Sequence, residues 1–498
     1  METYSNKEQI KDDLSRLREW SLTFTRDYGR LPAYHIQTFG CQQNDHDSEI
    51  AAGILEEAGL VPALELESSD LVLFNTCSVR ANADDRFFGH VGRLKPMKQD
   101  GRPIIGVFGC MMEQLIHRDT ILTSFPFVDF LLGAGAMEVL PAAILDTLEA
   151  SSRKKKTLDL TKRDRDAFAE EMPVRRTRNH RALVTIMTGC NNFCSYCIVP
   201  YTRGREKSRP FEDILEEVRR AVDGGAAEIM LLGQNVNSYG NDMRRRGEES
   251  PGFPRLLEEV AQVPSLELVR YMTSHPKDLS DELIRVIGTS PKVEPHIHLP
   301  LQSGSDRILE KMNRRYTADH YLGLVRKLRD SRPGMTVTTD LIVGYPGETE
   351  EDFQATLWLM EEARFDAAFT FIYSPRTGTP AAELYDSEER DMIQERFERL
   401  VNLQNRLSLE SNQKIIGKEV DVLLDGPSRR DPDIFSGRTR DDRLVNVSFP
   451  SMTSLQADPP DKNALIGQYV PVLIEKAGSF SLEGRLDKKM DTQDGADI

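Results

Sequence analysis

Three times in the first 110 residues an apolar, β-rich run ends in a turn and a cysteine: Tyr34-His35-Ile36-Gln37-Thr38-Phe39-Gly40-Cys41, Leu71-Val72-Leu73-Phe74-Asn75-Thr76-Cys77 and Ile104-Ile105-Gly106-Val107-Phe108-Gly109-Cys110. The cysteines recur at steps of 36 and 33 residues, the length of a βαβ unit. A helical pattern over residues 48–58 fills the first gap. A chain with this rhythm forms a parallel sheet whose strands end at one edge, where open α/β folds bind ligands. Any one of these cysteines would pass for a small buried residue after a strand. Three at the same place in successive units are expected to converge as metal ligands.

The other three cysteines, Cys190, Cys194 and Cys197, lie in one loop with the spacing C-x-x-x-C-x-x-C. Structural zinc normally takes four protein ligands, so a compact trio points instead to an iron-sulfur cluster with one iron open to a small molecule. Zinc held by the trio and a remote histidine is the alternative, but no histidine lies near the loop and Tyr196 fills the slot before the last cysteine. The opening METYSNKEQIKDDLSRLREW is polar and helix-like, so neither a secretory signal nor a membrane span is expected. The expected setting is cytoplasmic, where thiols stay reduced and cysteines serve metals or catalysis.

At 498 residues the chain is too long for a single core. The expected fold class is α/β with a small β-barrel appended. Its parts are an N-terminal helical extension (1–32), the parallel α/β domain of the first trio (33–150), a basic linker (151–179), a partial (βα) barrel (180–414), a small antiparallel β-barrel (415–486) and a polar tail (487–498). In the central domain, strands are expected at 183–187, 228–232, 266–272, 293–299, 336–343 and 367–373, with helices at 211–222, 279–287 and 350–362. Barrel chemistry sits at the C-terminal ends of strands. Those ends carry the cysteine loop, Gly233-Gln234-Asn235, Ser274-His275, Gln302-Ser303-Gly304-Ser305, Gly344-Tyr345-Pro346-Gly347 and Ser374-Pro375-Arg376.

The net charge of −16 argues against nucleic-acid binding by overall electrostatics. The charge is uneven, however: residues 153–181 hold eleven basic and five acidic side chains, a composition that also suits a solvated linker. Arg203, Arg205, Lys207 and Arg209 follow the cysteine loop and are expected to form a phosphate-facing rim. Arg429, Arg430, Arg438 and Arg440 of the terminal barrel are candidates for gripping RNA backbone, or ordinary surface charge.

The stretch Thr188-Gly189-Cys190-Asn191-Asn192-Phe193-Cys194-Ser195-Tyr196-Cys197-Ile198-Val199-Pro200-Tyr201-Thr202-Arg203-Gly204-Arg205-Glu206 resembles the radical S-adenosylmethionine superfamily in its methylthiotransferase branch. Gly233-Gln234-Asn235-Val236, Leu301-Gln302-Ser303-Gly304-Ser305 and Asp340-Leu341-Ile342-Val343-Gly344 also read like motifs of that family, and the likeness runs from about Tyr34 to Leu486. One departure is Arg80-Ala81, where the family pattern has Arg-Glu.

The resemblance implies two [4Fe-4S] clusters. One, on Cys190, Cys194 and Cys197, chelates S-adenosylmethionine and yields a 5′-deoxyadenosyl radical; the other, on Cys41, Cys77 and Cys110, delivers a methylthio unit. It implies Tyr196 near the adenine of the cofactor, and Gln302 and Ser303 as polar contacts to it. It further implies a tRNA substrate carrying N6-isopentenyladenosine at position 37, a TRAM domain at the C-terminus, an electron donor such as a flavodoxin, and a sulfur donor that the residues do not identify. Threonylcarbamoyladenosine or a ribosomal protein is the alternative substrate. An RNA-binding protein with structural metal sites is the alternative of another class.

Overall fold

The computed structural model describes residues 7–78, 81–98, 102–150, 157–160, 172–384, 390–449 and 462–486. Most of the basic linker (151–156 and 161–171), Arg80 and the tail 487–498 lie outside the described residues. The chain divides into two compact units, one of residues 1–177, 185–193 and 197–209, the other of 178–184, 194–196 and 210–498.

The first unit is built on a six-stranded parallel sheet in the order β2-β1-β3-β4-β5-β6. The strands are β1 (Ala33–Phe39), β2 (Val61–Pro62), β3 (Leu71–Thr76), β4 (Ile104–Gly109), β5 (Phe130–Leu132) and β6 (Leu158–Asp159). β3 and β4 are buried throughout, as unbroken apolar runs in a sheet covered on both faces should be. Leu71, Leu73, Ile104 and Phe108 pack into one core, and Val72, Phe74, Ile105 and Val107 into the other. The extension forms a helix, Lys7–Tyr28, that buries Leu17 and Phe24 and pairs Arg16 with Glu149 at 2.7 Å, so its role is packing.

The register decides where the cysteines go. Phe39 pairs with Thr76, and Thr76 with Gly109, so β1, β3 and β4 stop level with one another. Cys41, Cys77 and Cys110 follow within two residues of those stops. Gly109 makes this possible for β4: its φ is +106°, and a Cβ there would lie 2.4 Å from the Thr76 carbonyl oxygen.

In the second unit the expected curl of strands is present as two parallel half-sheets. One has the order β11-β10-β7, with β7 (Arg181–Thr185), β10 (Glu228–Leu232) and β11 (Leu268–Met272); the other is β12-β13-β14, with β12 (His296–His298), β13 (Thr336–Val343) and β14 (Ala367–Ile372). A single parallel bridge, Val269 to Val293, joins them. The strand expected over 293–299 shrinks to three residues because Pro295 and Pro300 flank it and neither offers an N–H to a ladder. The short antiparallel pair β8 (Met187–Thr188) with β9 (Lys207–Ser208) belongs to the first unit.

Five strands form a closed barrel, β15-β16-β17-β19-β18, from β15 (Glu419–Pro427), β16 (Phe435–Thr439), β17 (Leu444–Ser448), β18 (Tyr469–Ala477) and β19 (Leu482–Leu486). The expectation of a wholly antiparallel barrel is corrected at one seam, since β17 and β19 run parallel. Five strands cannot alternate in direction all the way round a ring, so one like-directed pair is unavoidable.

Candidate functional site

At the edge where β1, β3 and β4 end, the first cysteine trio comes together. Cys41 caps the helix Gln42–Glu57, and its thiol donates to Asn44 Oδ1 at 3.3 Å. Contact with Cys77 pushes the Cys41 thiol down to about 6, with burial opposing and the charge of Arg203 helping. Cys110 starts the turn after β4; burial pushes its thiol up, and the Arg203 charge opposes that.

Beneath the trio the side chains interlock. Asn44 Nδ2 donates to Asn75 Oδ1 at 2.7 Å and to the Thr76 carbonyl at 3.1 Å, while Asn75 Nδ2 donates to the Asn44 carbonyl at 2.7 Å and to Ser48 at 2.9 Å. The bonded amides hold the two chain segments that carry Cys41 and Cys77 in fixed relation.

The loop of the second trio is equally constrained. Gly189 has φ +76°, and a Cβ there would sit 2.1 Å from the Arg205 carbonyl oxygen, so only glycine lets the two arms approach. Cys190 N–H donates to the Gly204 carbonyl at 3.1 Å. Asn191 and Glu206 exchange hydrogen bonds, Asn191 N–H to Glu206 Oε1 at 3.2 Å and Asn191 Nδ2 to Oε2 at 3.1 Å.

In the second unit, Cys194 Sγ accepts from Arg314 at 3.5 Å, and Arg314 also donates to Tyr316 at 2.9 Å and to the Pro300 carbonyl. Ser195 is tied at both ends: its N–H donates to the Met312 carbonyl at 3.1 Å, and its hydroxyl lies 2.8 Å from the Tyr345 hydroxyl. Tyr196 packs against Ile308, Met312, Ile342, Tyr345, Tyr373 and Ala381.

The strand tips divide the polar candidates. Gln302, buried and with φ +75°, extends β13's ladder by bonding its N–H to Asp340 O at 2.8 Å and accepting from Ile342 at 2.9 Å. Ser303 is fully buried; its hydroxyl lies 3.4 Å from Thr356 Oγ1 and accepts from Ser305 N–H at 3.2 Å. That hydroxyl serves the turn, which corrects its expected place among the cofactor contacts.

Glu348, after Gly344-Tyr345-Pro346-Gly347, accepts from Gly344 N–H at 2.8 Å. Burial pushes its carboxyl up to about 7, against the Gly344 bond and the Arg396 charge. A carboxyl raised in the fold binds more protons there than in the unfolded chain, so stability falls as pH rises from about 4.5 to about 7. Glu348→Gln, fixed neutral, is therefore expected to raise the melting temperature at pH 8 and to leave it nearly unchanged at pH 4.5. Equal shifts at the two pH values would contradict this.

The arginine rim is corrected at two of its members. The Arg203 side chain is 6% exposed and donates to Asp47 at 3.0 Å and to Cys110 Sγ at 3.0 Å. Arg209 is buried and donates to the Thr185 carbonyl at 2.7 Å. Both guanidiniums are spent on interior acceptors that a solvated phosphate would have to displace. Arg205 is exposed, with its guanidinium 4.2 Å above the Phe193 ring. Arg438 pairs with Asp442 at 3.3 Å and is 38% exposed.

Arg314, Asp47 and the Asn44–Asn75 pair are functional candidates that the sequence motifs do not reveal. Asp47 lies six residues after Cys41, in no ligand spacing, and Arg314 lies 120 residues from the cysteine it touches. Only the tertiary fold brings them to the thiols.

Three segments match known families: residues 33–133 the uncharacterized protein family UPF0004, residues 184–360 the radical SAM superfamily and residues 413–486 the TRAM domain. The tRNA-2-methylthio-N(6)-dimethylallyladenosine synthase of Acetivibrio thermocellus is 45% identical over 459 residues, covering 92% of each chain. The protein of the same name from Caldicellulosiruptor saccharolyticus is 47% identical over 421 residues, covering 84% of this chain and 87% of its own. The chain belongs to the tRNA-2-methylthio-N(6)-dimethylallyladenosine synthase family. Among solved structures, the radical S-adenosylmethionine methyltransferase TsrM of Kitasatospora setae superposes with a TM-score of 0.50 at 13% identity, over 70% of this chain and 74% of that one, a likeness of fold alone.

The donor sets suit the iron-sulfur clusters of such a family. The chain offers six free cysteines, and among the described residues no three His, Cys, Asp or Glu side chains surround one point as a single metal ion requires. The thiols of a cubane bind different irons and need not meet at one point.

Proposed function

We propose that this protein converts N6-isopentenyladenosine at position 37 of tRNA to its 2-methylthio derivative, with two [4Fe-4S] clusters and S-adenosylmethionine as cofactors. The observation that carries this reading is the meeting of Cys41, Cys77 and Cys110 at one sheet edge in a chain that holds a second cysteine trio. When bound, these groups supply radical chemistry at C2 of the adenine and the sulfur that replaces its hydrogen. Cys190, Cys194 and Cys197 would hold the cluster that meets S-adenosylmethionine, and Cys41, Cys77 and Cys110 the other.

The remaining residues hold and orient. Ser195, locked between Met312 and Tyr345, fixes the backbone between two ligand cysteines, and Tyr196 packs against the apolar cluster to which Ile342 belongs. Gln302, at the strand tip, is assigned to the polar end of the cofactor. On β14, Phe369 and Phe371 share a face with Asp340 and Ile342, to which they are register partners, and are 52% and 40% exposed. They offer an apolar wall to the isopentenyl group and a stacking surface to an unpaired anticodon-loop base.

Arg205 and the terminal barrel, through Arg438, are assigned to RNA phosphates. A low-potential carrier of the flavodoxin type provides the electron, and a reducing cytoplasm suits six thiols. Among the described residues no helix is long and apolar enough to cross a membrane.

The test is mass spectrometry of nucleosides after reduced, reconstituted protein is incubated with isopentenylated tRNA and S-adenosylmethionine. The 2-methylthio nucleoside is expected. Its absence, together with modification of threonylcarbamoyladenosine tRNA, would move the chain to the sister activity. Phe371→Ala is expected to weaken binding of isopentenylated anticodon stem-loop by about five- to a hundredfold, the worth of one stacked base, and to weaken that of the unmodified stem-loop less, since it lacks the isopentenyl contact.

A further inference from the structure

The residue with the most unusual surroundings is Arg203, six positions after Cys197. It is an arginine whose charge lies inside the protein against a cysteine thiol. Its Nε–H donates to Cys110 Sγ at 3.0 Å and its Nη2 to Asp47 Oδ2 at 3.0 Å; both partners of that ion pair are 6% exposed. Burial works against the charge, and Cys110, Asp47 and Cys41 together more than restore it. A one-turn helix, Val199–Thr202, carries the chain from the second cysteine loop to this position. One short stretch thus joins Cys197 at one end to a thiol-facing cation at the other.

We infer that Arg203 and Asp47 set the reduction potential of the cluster held by Cys41, Cys77 and Cys110. The inference rests on the cluster reading above and goes beyond it, since family membership requires only the ligands. Hydrogen bonds to ligand sulfurs and nearby charge are the levers by which a protein tunes an iron-sulfur centre. A cation bonded to Cys110 Sγ favours the added electron. A carboxylate behind it opposes that effect and holds the guanidinium in place. The two charges therefore act with opposite sign on one centre, while both serve the same packing. This separates tuning from a merely structural role.

The test uses the full-length chain with Cys190, Cys194 and Cys197 replaced by alanine, so that only the N-terminal cluster can form. Iron and sulfide analysis follows anaerobic reconstitution, and the midpoint potential is read by redox titration monitored by electron paramagnetic resonance. Arg203→Gln is expected to shift the oxidised-to-reduced ratio about tenfold toward the oxidised form, a fall of about 59 mV for one electron. Asp47→Asn is expected to raise the potential, and Arg203→Lys, which keeps the charge, to fall between Arg203→Gln and the parent. Potentials that stay put, or move the same way in Arg203→Gln and Asp47→Asn, would overturn the inference with the cluster reading intact. Failure of the parent to bind about four irons would overturn the cluster reading itself. Should Arg203→Gln alone fail to load, the opposite-sign test passes to Asp47→Asn, in which an unchanged or lower potential refutes the inference.

Discussion

Cys77→Ala is expected to retain reductive cleavage of S-adenosylmethionine to methionine and 5′-deoxyadenosine while losing methylthiolation of tRNA, whereas Cys194→Ala is expected to lose both. The division follows from where the two thiols sit. Cys77 ends β3, is buried, and shares its surroundings with Cys41 and the Asn44–Asn75 floor. Cys194 belongs to the other compact unit and touches Arg314, beside the strand tips that carry Gln302 and Tyr345.

Each substitution removes one of three thiolates from one trio and leaves the other trio its full set. Changing an outer-sphere partner of a metal ligand already costs about 10- to 100-fold in affinity or activity, so deleting a ligand is expected to bring the dependent reaction to background. Quantifying 5′-deoxyadenosine and 2-methylthio nucleoside from the same incubation reads both outcomes. Equal loss of 5′-deoxyadenosine in the two variants would refute separate roles for the trios.

The period of the N-terminal cysteines was the most legible part of the fold. Strand, turn and cysteine recurred at βαβ length, and a parallel sheet has only one way to place three such ends. The helix-strand rhythm of the second unit was legible for the same reason, because long amphipathic stretches such as Phe211–Asp223 and Glu350–Ala363 declare themselves by period. The arginines were not. Arg203 and Arg209 sit in a run that looks like a basic rim in one dimension, and a run of charge says nothing about which guanidiniums the fold turns inward. Ser303 misled in a similar way: a hydroxyl at a strand tip suits a cofactor or the turn itself, and only the position of Thr356, 53 residues away, decides between them. The parallel seam between β17 and β19 lay beyond strand patterns as well, since it depends on the closing of a five-membered ring.

Arg270→Met is expected to be among the most destabilising single changes in the second unit. The guanidinium is 1% exposed and donates to Glu228 at 2.9 and 3.2 Å, to Glu294 at 3.0 Å, and to the carbonyls of Thr439 at 2.9 Å and Arg440 at 3.3 Å. It thereby joins β10 and β11 to the turn between β16 and β17. Glu228 is held below the ordinary carboxylate range: burial would raise it, and Arg270 and Arg181 overcome that. A carboxyl lowered in the fold contributes its stability above the ordinary value of 4.5 and loses it as pH falls through the folded value.

Removing the arginine leaves two buried carboxylates and two carbonyls without their shared donor, at a cost of about 3–5 kcal/mol. For a unit of this size that corresponds to a fall in melting temperature of about 5–8 °C. The loss should shrink in acid, where Glu228, no longer held down by the Arg270 charge, can take up a proton. The double variant Arg270→Met with Glu228→Gln should lose less than the sum of the two single changes. Calorimetry at pH 7.5 and pH 4.5 checks both statements. A loss under about 1 kcal/mol at pH 7.5, the range of an exposed pair, would mean that the guanidinium does not anchor the barrel to its strands.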